Sequence, residues 1–132
     1  MAKFINVIKF FLKGEINMPS IYENRFFTVM AVFEVAPQQQ QELIDGIADQ
    51  VEEHIKKFPG FVSASFHASD DGRKVVNYAQ WHSKESWQKA PQAPNSDKAK
   101  AAIEGVIKRC EAKSVSGDSF SFRVARVVEN EL

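Results

Sequence analysis

Three features of the 132-residue sequence predict an α+β fold. Segments rich in β-branched and aromatic residues alternate with segments whose apolar residues recur at helical spacing, in the order strand, helix, strand, strand, helix, strand. An Asp71-Gly72 pair between the second and third strands is typical of a hairpin. Hydrophobic residues make up 44% of the chain, enough for one packed domain. This order is that of the ferredoxin-like βαββαβ fold, in which two helices cover one face of a four-stranded antiparallel sheet.

The first strand is predicted at residues 26–35, a segment that carries apolar side chains on both of its faces. Alternation sends one set in one direction: Phe27, Val29, Ala31, Phe33 and Val35. The opposite direction receives Phe26, Met30 and Val32. Since two helices can cover only one face, the other face is expected to pack against a second sheet. A symmetric homodimer, a dimeric α/β barrel, is therefore predicted.

The remaining elements follow from breakers and caps. Pro37 begins a helix of about twenty residues that ends at Pro59-Gly60. Strands are predicted at residues 61–69 and 74–82, on either side of the hairpin turn. Ser83 is expected to cap a short helix that carries Trp87.

The second long helix is expected to be capped by Ser96 or Asp97, with Cys110 on its apolar face. Residues 113–118 are predicted to be a connection, and residues 120–128 the last strand.

Residues 1–24 are predicted to be an N-terminal extension of a domain that covers residues 25–132. Apolar residues recur in the extension at helical spacing: Phe4, Ile5, Ile8, Phe11 and Leu12. An amphipathic helix that covers apolar surface on this domain or on a partner subunit is the favoured interpretation. A membrane-surface helix and a dispensable extension are the alternatives.

Composition bears on the functional class and on the compartment. Lys plus Arg and Asp plus Glu both total 17, so the formal charge is zero, which argues against nucleic-acid binding. The single cysteine, Cys110, cannot form an internal disulfide, which favours a reducing compartment such as the cytoplasm. No apolar run approaches the roughly 20 residues that span a bilayer, so no membrane association is expected.

Several kinds of site have no signal in the sequence. It contains no Gly-rich phosphate loop, dinucleotide fingerprint or paired-cysteine motif, and its histidines lack the spacing of zinc ligands. No metal site is predicted. His54 is interpreted as a solvated histidine, Asp70 and Asp71 as turn residues, and Cys110 as a small core residue.

The informative stretch is the predicted hairpin. Alternation places Asn77 and Trp81 on one face of the third strand. If the turn pairs His67 near Asn77, Ser63, Ser65 and His67 lie beside them. Convergent polar groups and an aromatic wall are typical of a small-molecule cavity, because buried polar groups need partners. The alternative treats each residue separately: Trp81 as core, Asn77 as a partner of the hairpin backbone, and His67 at a solvated strand end.

This stretch resembles the antibiotic biosynthesis monooxygenase family, and is closest in motif to its cofactor-independent, anthrone-oxidising members. The residues that carry the resemblance are Pro59-Gly60-Phe61, His67-Ala68-Ser69, Asp71-Gly72 and Val76-Asn77-Tyr78-Ala79-Gln80-Trp81. The resemblance implies a ferredoxin-like dimer whose cavity is faced by Asn77 and Trp81, which hold carbonyl and hydroxyl groups of the ligand. It places His67 at the position of a cavity histidine.

The chain departs from that branch at two positions. Trp87 stands where the branch has a tyrosine, and an indole N–H cannot act as an acid near neutral pH. The ungapped counterpart of an arginine is Ala101, with Lys98 and Lys100 nearby. The haem-degrading branch is disfavoured, because the first strand has no Asn and the helix after Trp81 has no His.

The function implied by the resemblance is oxidation of a phenolic, anthrone-like or hydroquinone substrate to a quinone with O2 and no cofactor. Asn77, Trp81 and His67 are the predicted catalytic residues, His67 as the base because its unperturbed pKa is near 6.5. Ser63, Ser65 and Trp87 are predicted to contact the substrate. The alternative is a non-catalytic protein of the same fold that binds a small aromatic molecule. The expected partners are the substrate, O2 and a second copy of the chain.

Overall fold

The computed structural model describes residues 19–117 and 120–131 and confirms the ferredoxin-like arrangement. Strand β1 is Phe27–Glu34, helix α1 is Gln40–Glu53, and the hairpin strands β2 and β3 are Phe61–Ala68 and Lys74–Trp81. Two further helices follow, α2 at Lys84–Lys89 and α3 at Ser96–Arg109. Strands β4 at Lys113–Ser114 and β5 at Phe120–Arg123 complete the fold. The predicted N-terminal helix falls in residues 1–18, outside the described residues.

The sheet is antiparallel with the order β2-β3-β1-β4, and β5 also pairs with β1. Strands β4 and β5 thus share one edge of β1, where a single last strand at residues 120–128 was expected. The predicted last strand is too long. Strand β5 ends at Arg123, which pairs with Phe27, the first residue of β1, and β1 has no residue beyond Phe27 to pair with the rest. The predicted connection at 113–118 contributes β4.

The helices cover the sheet face that carries Val29, Phe33 and Val75, and the main core lies between the helices and this face. Its buried residues are Phe33, Val35, Leu43, Ile47, Val51, Val75, Val106 and Cys110. The prediction that Cys110 is a core residue is confirmed. Burial raises the pKa of its thiol, so Cys110 stays neutral and unreactive.

Only the middle of the first predicted helix is α-helical. The α-helix spans Gln40–Glu53, and the flanking segments Pro37–Gln39 and Ile55–Lys57 form 3-10 turns. The predicted span is therefore correct in extent, but its two ends carry the tighter hydrogen-bonding pattern that is frequent at helix termini.

The capping predictions were right at α2 and wrong at α3. The Ser83 hydroxyl accepts a hydrogen bond from the Ser86 amide at 3.1 Å. At α3 the N-cap is Asn95, in the left-handed region with φ 65° and no side-chain cap. The Ser96 hydroxyl instead donates to the Pro91 carbonyl at 2.6 Å, so it is committed to the preceding turn.

The hairpin turn fixes how β2 and β3 align. Gly72 has φ +77°, which the predicted Asp-Gly turn requires of one residue. The Asp71 carboxylate accepts from the Arg73 amide and the Ser69 hydroxyl, and the bond from the amide is the main cause that lowers its pKa. Gln40 Nε2 donates to the carbonyls of Ser69 and Lys74 at 3.1 and 2.9 Å, which ties α1 to this turn. The interpretation of Asp71 as a turn residue is confirmed.

In the described part of the chain, no helix is long and apolar enough to cross a membrane.

Candidate functional site

Asn77 lies on the helix-covered face of the sheet. It pairs with Ala31 on β1 and with Phe66 on β2, so its side chain projects on the same side as theirs. Trp81 shares this face, four residues along β3, and is 5% exposed. Its ring packs edge-on against Phe61, with centroids 5.4 Å apart. The predicted shared face of Asn77 and Trp81 is confirmed.

A cavity of about 770 Å³ opens between this face and the helices α2 and α3. Ala31 and Phe33 contribute from the sheet, and Trp87 from α2. The remaining lining residues are Ile55, Phe58, Gln88, Ala90, Pro91, Ser96, Asp97, Ala99, Lys100, Ile103, Glu104, Ile107, Ser114 and Gly117. Neither Asn77 nor Trp81 borders the cavity; Asn77 is the neighbour of the lining residue Ala31 across the ladder. A volume in this range suits a small organic molecule.

The amide oxygen of Asn77 is buried and has no hydrogen-bond partner among the described residues. Leaving such an acceptor unpaired costs about 1–3 kcal/mol. Buried polar atoms are otherwise almost always paired, so an orphan beside a cavity marks a group that a ligand can satisfy. The one other such atom in the described part, Thr28 Oγ1, lies on the opposite face of β1 and has no connection with this cavity.

Trp87 forms an aromatic wall of the cavity. The short helix α2 begins at the Ser83 cap and places Trp87 against Phe27, with ring centroids 5.4 Å apart and planes tilted by 39°. The contact between β1 and α2 fixes the position of the indole. Trp87 thus borders the cavity, and its contact with a substrate stays a prediction.

The charged lining residues all come from α3. Asp97, Lys100 and Glu104 recur at intervals of three and four residues, so they lie along one side of the helix. Lys100 makes no ion pair with any described residue, which leaves its ammonium group free for an anionic ligand. Sequence reasoning located Lys100 only as a neighbour of Ala101 and did not connect Asp97 or Glu104 with the site. Their helical spacing was the signal available.

The prediction that Ser63, Ser65 and His67 lie beside Asn77 and Trp81 is wrong. The hairpin pairs His67 with Val76 and Ser65 with Tyr78, so these residues project from the opposite face of the sheet, away from the helices. A shift of one residue in register moves a whole strand's side chains to the other face.

An irregularity between Phe61 and Ser63 adds to the error. It puts Phe61 opposite Trp81 while Ser63 stands opposite Gln80. Simple alternation along β2 had grouped Phe61 with Ser63. The Ser63 hydroxyl donates to Gln80 Oε1 at 2.9 Å, and His67 is exposed.

No metal centre is evident in the described residues: they contain no group of three or more His, Cys, Asp and Glu side chains placed to share an ion. His54 borders a separate cleft with Glu53 and Lys57, outside the main cavity. The cavity's own titratable groups in the described part are therefore the two carboxylates and one ammonium group of α3.

Comparisons with known proteins match this architecture. The family model described as antibiotic biosynthesis monooxygenase matches residues 26–102. Tetracenomycin-F1 monooxygenase of Streptomyces glaucescens is 56% identical over 57 residues, which are 43% of this chain and 51% of that protein. The match to this curated relative thus spans about half of its length.

Two solved structures have similar folds. A monooxygenase from the gene ActVA-Orf6 of Streptomyces coelicolor, in complex with nanaomycin D, is 29% identical, with a TM-score of 0.59 over 80% of this chain and 95% of that one. An anthrone oxidase-like protein is 25% identical, with a TM-score of 0.62 over 82% of this chain and 48% of that one.

The unpaired Oδ1 of Asn77 leads to a testable prediction about stability. Replacing it in Asn77→Leu removes a buried acceptor that has no partner, so the free energy of unfolding should rise by about 1 kcal/mol. Urea denaturation followed by circular dichroism measures the change.

The matched control is Ser63→Ala on the neighbouring strand, which removes a hydroxyl that has a partner and should lower the free energy of unfolding by about 1 kcal/mol. An Asn77→Leu variant destabilised as much as this control would contradict the assignment of an unpaired amide.

Proposed function

The chain belongs to the antibiotic biosynthesis monooxygenase family, and on that premise we propose that it is a cofactor-independent monooxygenase. Its substrate is a phenolic, anthrone-like or hydroquinone compound, which it oxidises to a quinone with O2. The observation that carries the proposal is the unpaired acceptor Oδ1 of Asn77, next to Ala31 in the wall of a largely apolar cavity of about 770 Å³. An apolar cavity with few polar groups suits a flat aromatic molecule that is held at its oxygen substituents.

The reaction needs an ionised substrate more than it needs a cofactor. Triplet O2 does not react directly with a closed-shell molecule, but an electron-rich phenolate or enolate can transfer one electron to it. The resulting radical pair then recombines at carbon. With a phenol or an anthrone, one oxygen atom becomes the new carbonyl, and the other leaves as water with two substrate hydrogens. With a hydroquinone, the first oxygen atom stays as a ring hydroxyl of the quinone, and the same water leaves. The protein's tasks are to ionise the substrate, hold the anion and exclude water.

Asn77 and Trp81 are the proposed anion-holding residues. Both project from β3 toward the helices, and the side chain of Asn77 carries amide N–H donors beside its unpaired acceptor Oδ1. A carboxamide and an indole N–H can both donate to a developing oxyanion, and donors fixed in advance of the reaction are the most effective. The contact between Trp81 and Phe61 fixes the indole in this way.

The ionisation step is assigned to α3. Asp97 and Glu104 border the cavity, so their carboxylates are the proposed proton acceptors. Lys100 lies between them on the same side of the helix and supplies a positive charge that favours the substrate anion. His67 is not retained as the base, since it projects from the opposite face of the sheet.

The named relatives support the substrate class. One is a monooxygenase named for tetracenomycin F1, one was solved with nanaomycin D bound, and one is described as anthrone oxidase-like. Trp87, which replaces a tyrosine of the anthrone-oxidising branch, favours the alternative of a binding protein without turnover. Oxygen uptake by metal-free protein with a panel of anthrones and hydroquinones separates the two: binding without uptake would support the alternative.

Two substitutions test whether Asn77 and Trp81 donate hydrogen bonds to the substrate anion. Asn77→Ala removes the amide but leaves the backbone pairing of β3 intact, so the protein should stay folded while oxygen uptake falls about tenfold or more. Trp81→Phe keeps an aromatic ring and deletes the N–H, and should lower uptake without a matching loss of stability. Oxygen-electrode rates and thermal melting are measured on the same samples. Unchanged uptake per folded molecule would overturn the assignment.

The electrostatic role of Lys100 makes a separate prediction. Lys100→Met should lower oxygen uptake about two- to fivefold, the range expected for one partly exposed charge interaction. The difference in oxygen uptake between the unmodified protein and Lys100→Met should shrink as salt rises from about 0.05 to 0.5 M, because ions screen the charge of Lys100.

Lys98→Met is the matched control. It removes the same charge from the same helix at an exposed position that borders no part of the cavity. Equal effects of the two substitutions would mean that only the net charge matters.

Exposed apolar residues on the sheet face away from the helices support a homodimer. Phe122 on β5 pairs with Thr28, and Phe120 with Met30, so both phenylalanines project away from the helices. They are 44% and 49% exposed, and Val76 and Tyr78 on β3 share their face. A sheet face of this kind is stabilised when a second copy covers it. We propose that two chains pack these faces together.

Sedimentation tests the dimer. The unmodified chain is expected to sediment as a dimer at micromolar concentration, and Phe122→Glu as a monomer, because a buried carboxylate without a partner is costly. The control is Ser121→Glu, one residue away on the same strand and on the opposite face of the sheet. A monomeric unmodified chain would contradict the proposal, as would equal dissociation of the control.

A further inference from the structure

A second concavity adjoins the main cavity. It is a cleft of about 380 Å³ at the end of α1. Its lining residues are Glu53, His54, Lys57, Phe58, Pro59, Ala93, Pro94 and Asn95. Among the residues that border the two spaces, Phe58 is the one in common. The partition between cavity and cleft therefore contains Phe58.

The backbone around Phe58 is held in place. Its amide donates to the Ile55 carbonyl at 2.9 Å, and its carbonyl accepts from the Phe61 amide at 3.1 Å. Gly60, two residues on, has φ +84°, and a Cβ built there would stand 2.3 Å from Ser86 Cβ, so the chain lies directly against α2. The main chain is thus fixed on both sides of Phe58, so its side chain is the part of the partition that a substitution can remove.

We propose that Phe58 is the end wall of the substrate cavity and sets the length of the aromatic molecule that the cavity accepts. The inference rests on the proposed function for the ligand class only: flat, fused aromatic rings. With the phenyl ring in place, a ligand that enters beside Trp87 ends at Phe58. With the ring removed, the cleft becomes an extension of the cavity.

The surroundings of Phe58 agree with a selective wall. The cavity side is largely apolar, with Ile55 and Trp87 nearby in the lining, whereas the cleft side carries Glu53 and Lys57. A longer ring system would have to displace the phenyl ring and desolvate these charged groups, and both are unfavourable. The wall thus disfavours long ligands in the unmodified protein.

The test uses quinones, which bind without being oxidised further. The probes are 9,10-anthraquinone with three fused rings and 5,12-naphthacenequinone with four, and the quenching of the fluorescence of the two tryptophans, Trp81 and Trp87, reports binding. In Phe58→Ala, the ratio of four-ring to three-ring affinity should rise about five- to tenfold, from the apolar area of one more buried ring. Phe58→Leu, which keeps more bulk and serves if the alanine variant does not fold, should give a smaller rise.

Phe66→Ala is the matched control. Phe66 packs against the main core and borders neither space, so its loss should lower stability and leave the affinity ratio unchanged. The inference is overturned if the ratio stays constant in folded Phe58 variants, if Phe66→Ala shifts it equally, or if neither quinone binds. The outcome is independent of turnover: a shifted ratio without oxygen uptake would retain the end wall and reject the monooxygenase.

Discussion

The pairing of β3 with strands on both sides is the constraint on which the site depends. Its register with β1 sets Asn77 opposite Ala31, and its register with β2 sets Asn77 opposite Phe66. Because side chains alternate along a strand, this single alignment sends Val75, Asn77 and Trp81 to the helices. The hairpin turn at Asp71 and the hydrogen bonds from Gln40 hold the alignment in place.

One face of the sheet therefore carries both the core and the site, at different positions along β3. Val75, fully buried, packs with Leu43 and Ile47 of α1. Two residues further on, Asn77 brings an unpaired polar atom to the same face. Dense packing around Val75 offsets the cost of that atom, so the fold can hold a polar group ready for a ligand. Under the proposed function, this oxygen accepts from a substrate hydroxyl, and the N–H of the same amide donates to the substrate anion.

Helices α2 and α3 give the cavity its chemical character. The sheet supplies a flat wall, whereas Trp87 of α2 adds an aromatic surface and Lys100 of α3 adds a positive charge. The helices are joined by the turn Ala90–Gln92, whose Ala90 and Pro91 also border the cavity. Changes in these helices and in this turn can alter the ligand without disturbing the sheet, which is how one fold can serve different substrates.

The sequence alone determined the order of the elements, the two apolar faces of β1, the Asp-Gly turn, the Ser83 cap and the shared face of Asn77 and Trp81. These features depend on residues close together in the chain, where alternation, helical spacing and turn chemistry act directly.

The tertiary structure decided on which face Ser63, Ser65 and His67 lie. It also decided that α3 turns Asp97, Lys100 and Glu104 to the cavity, and that Phe58 lies between cavity and cleft. Alternation fixes the faces within one strand but not the register between two, and a one-residue irregularity near Phe61 suffices to change it. A cavity is the space left where helices pack on a sheet, so its lining depends on contacts between residues far apart in the chain.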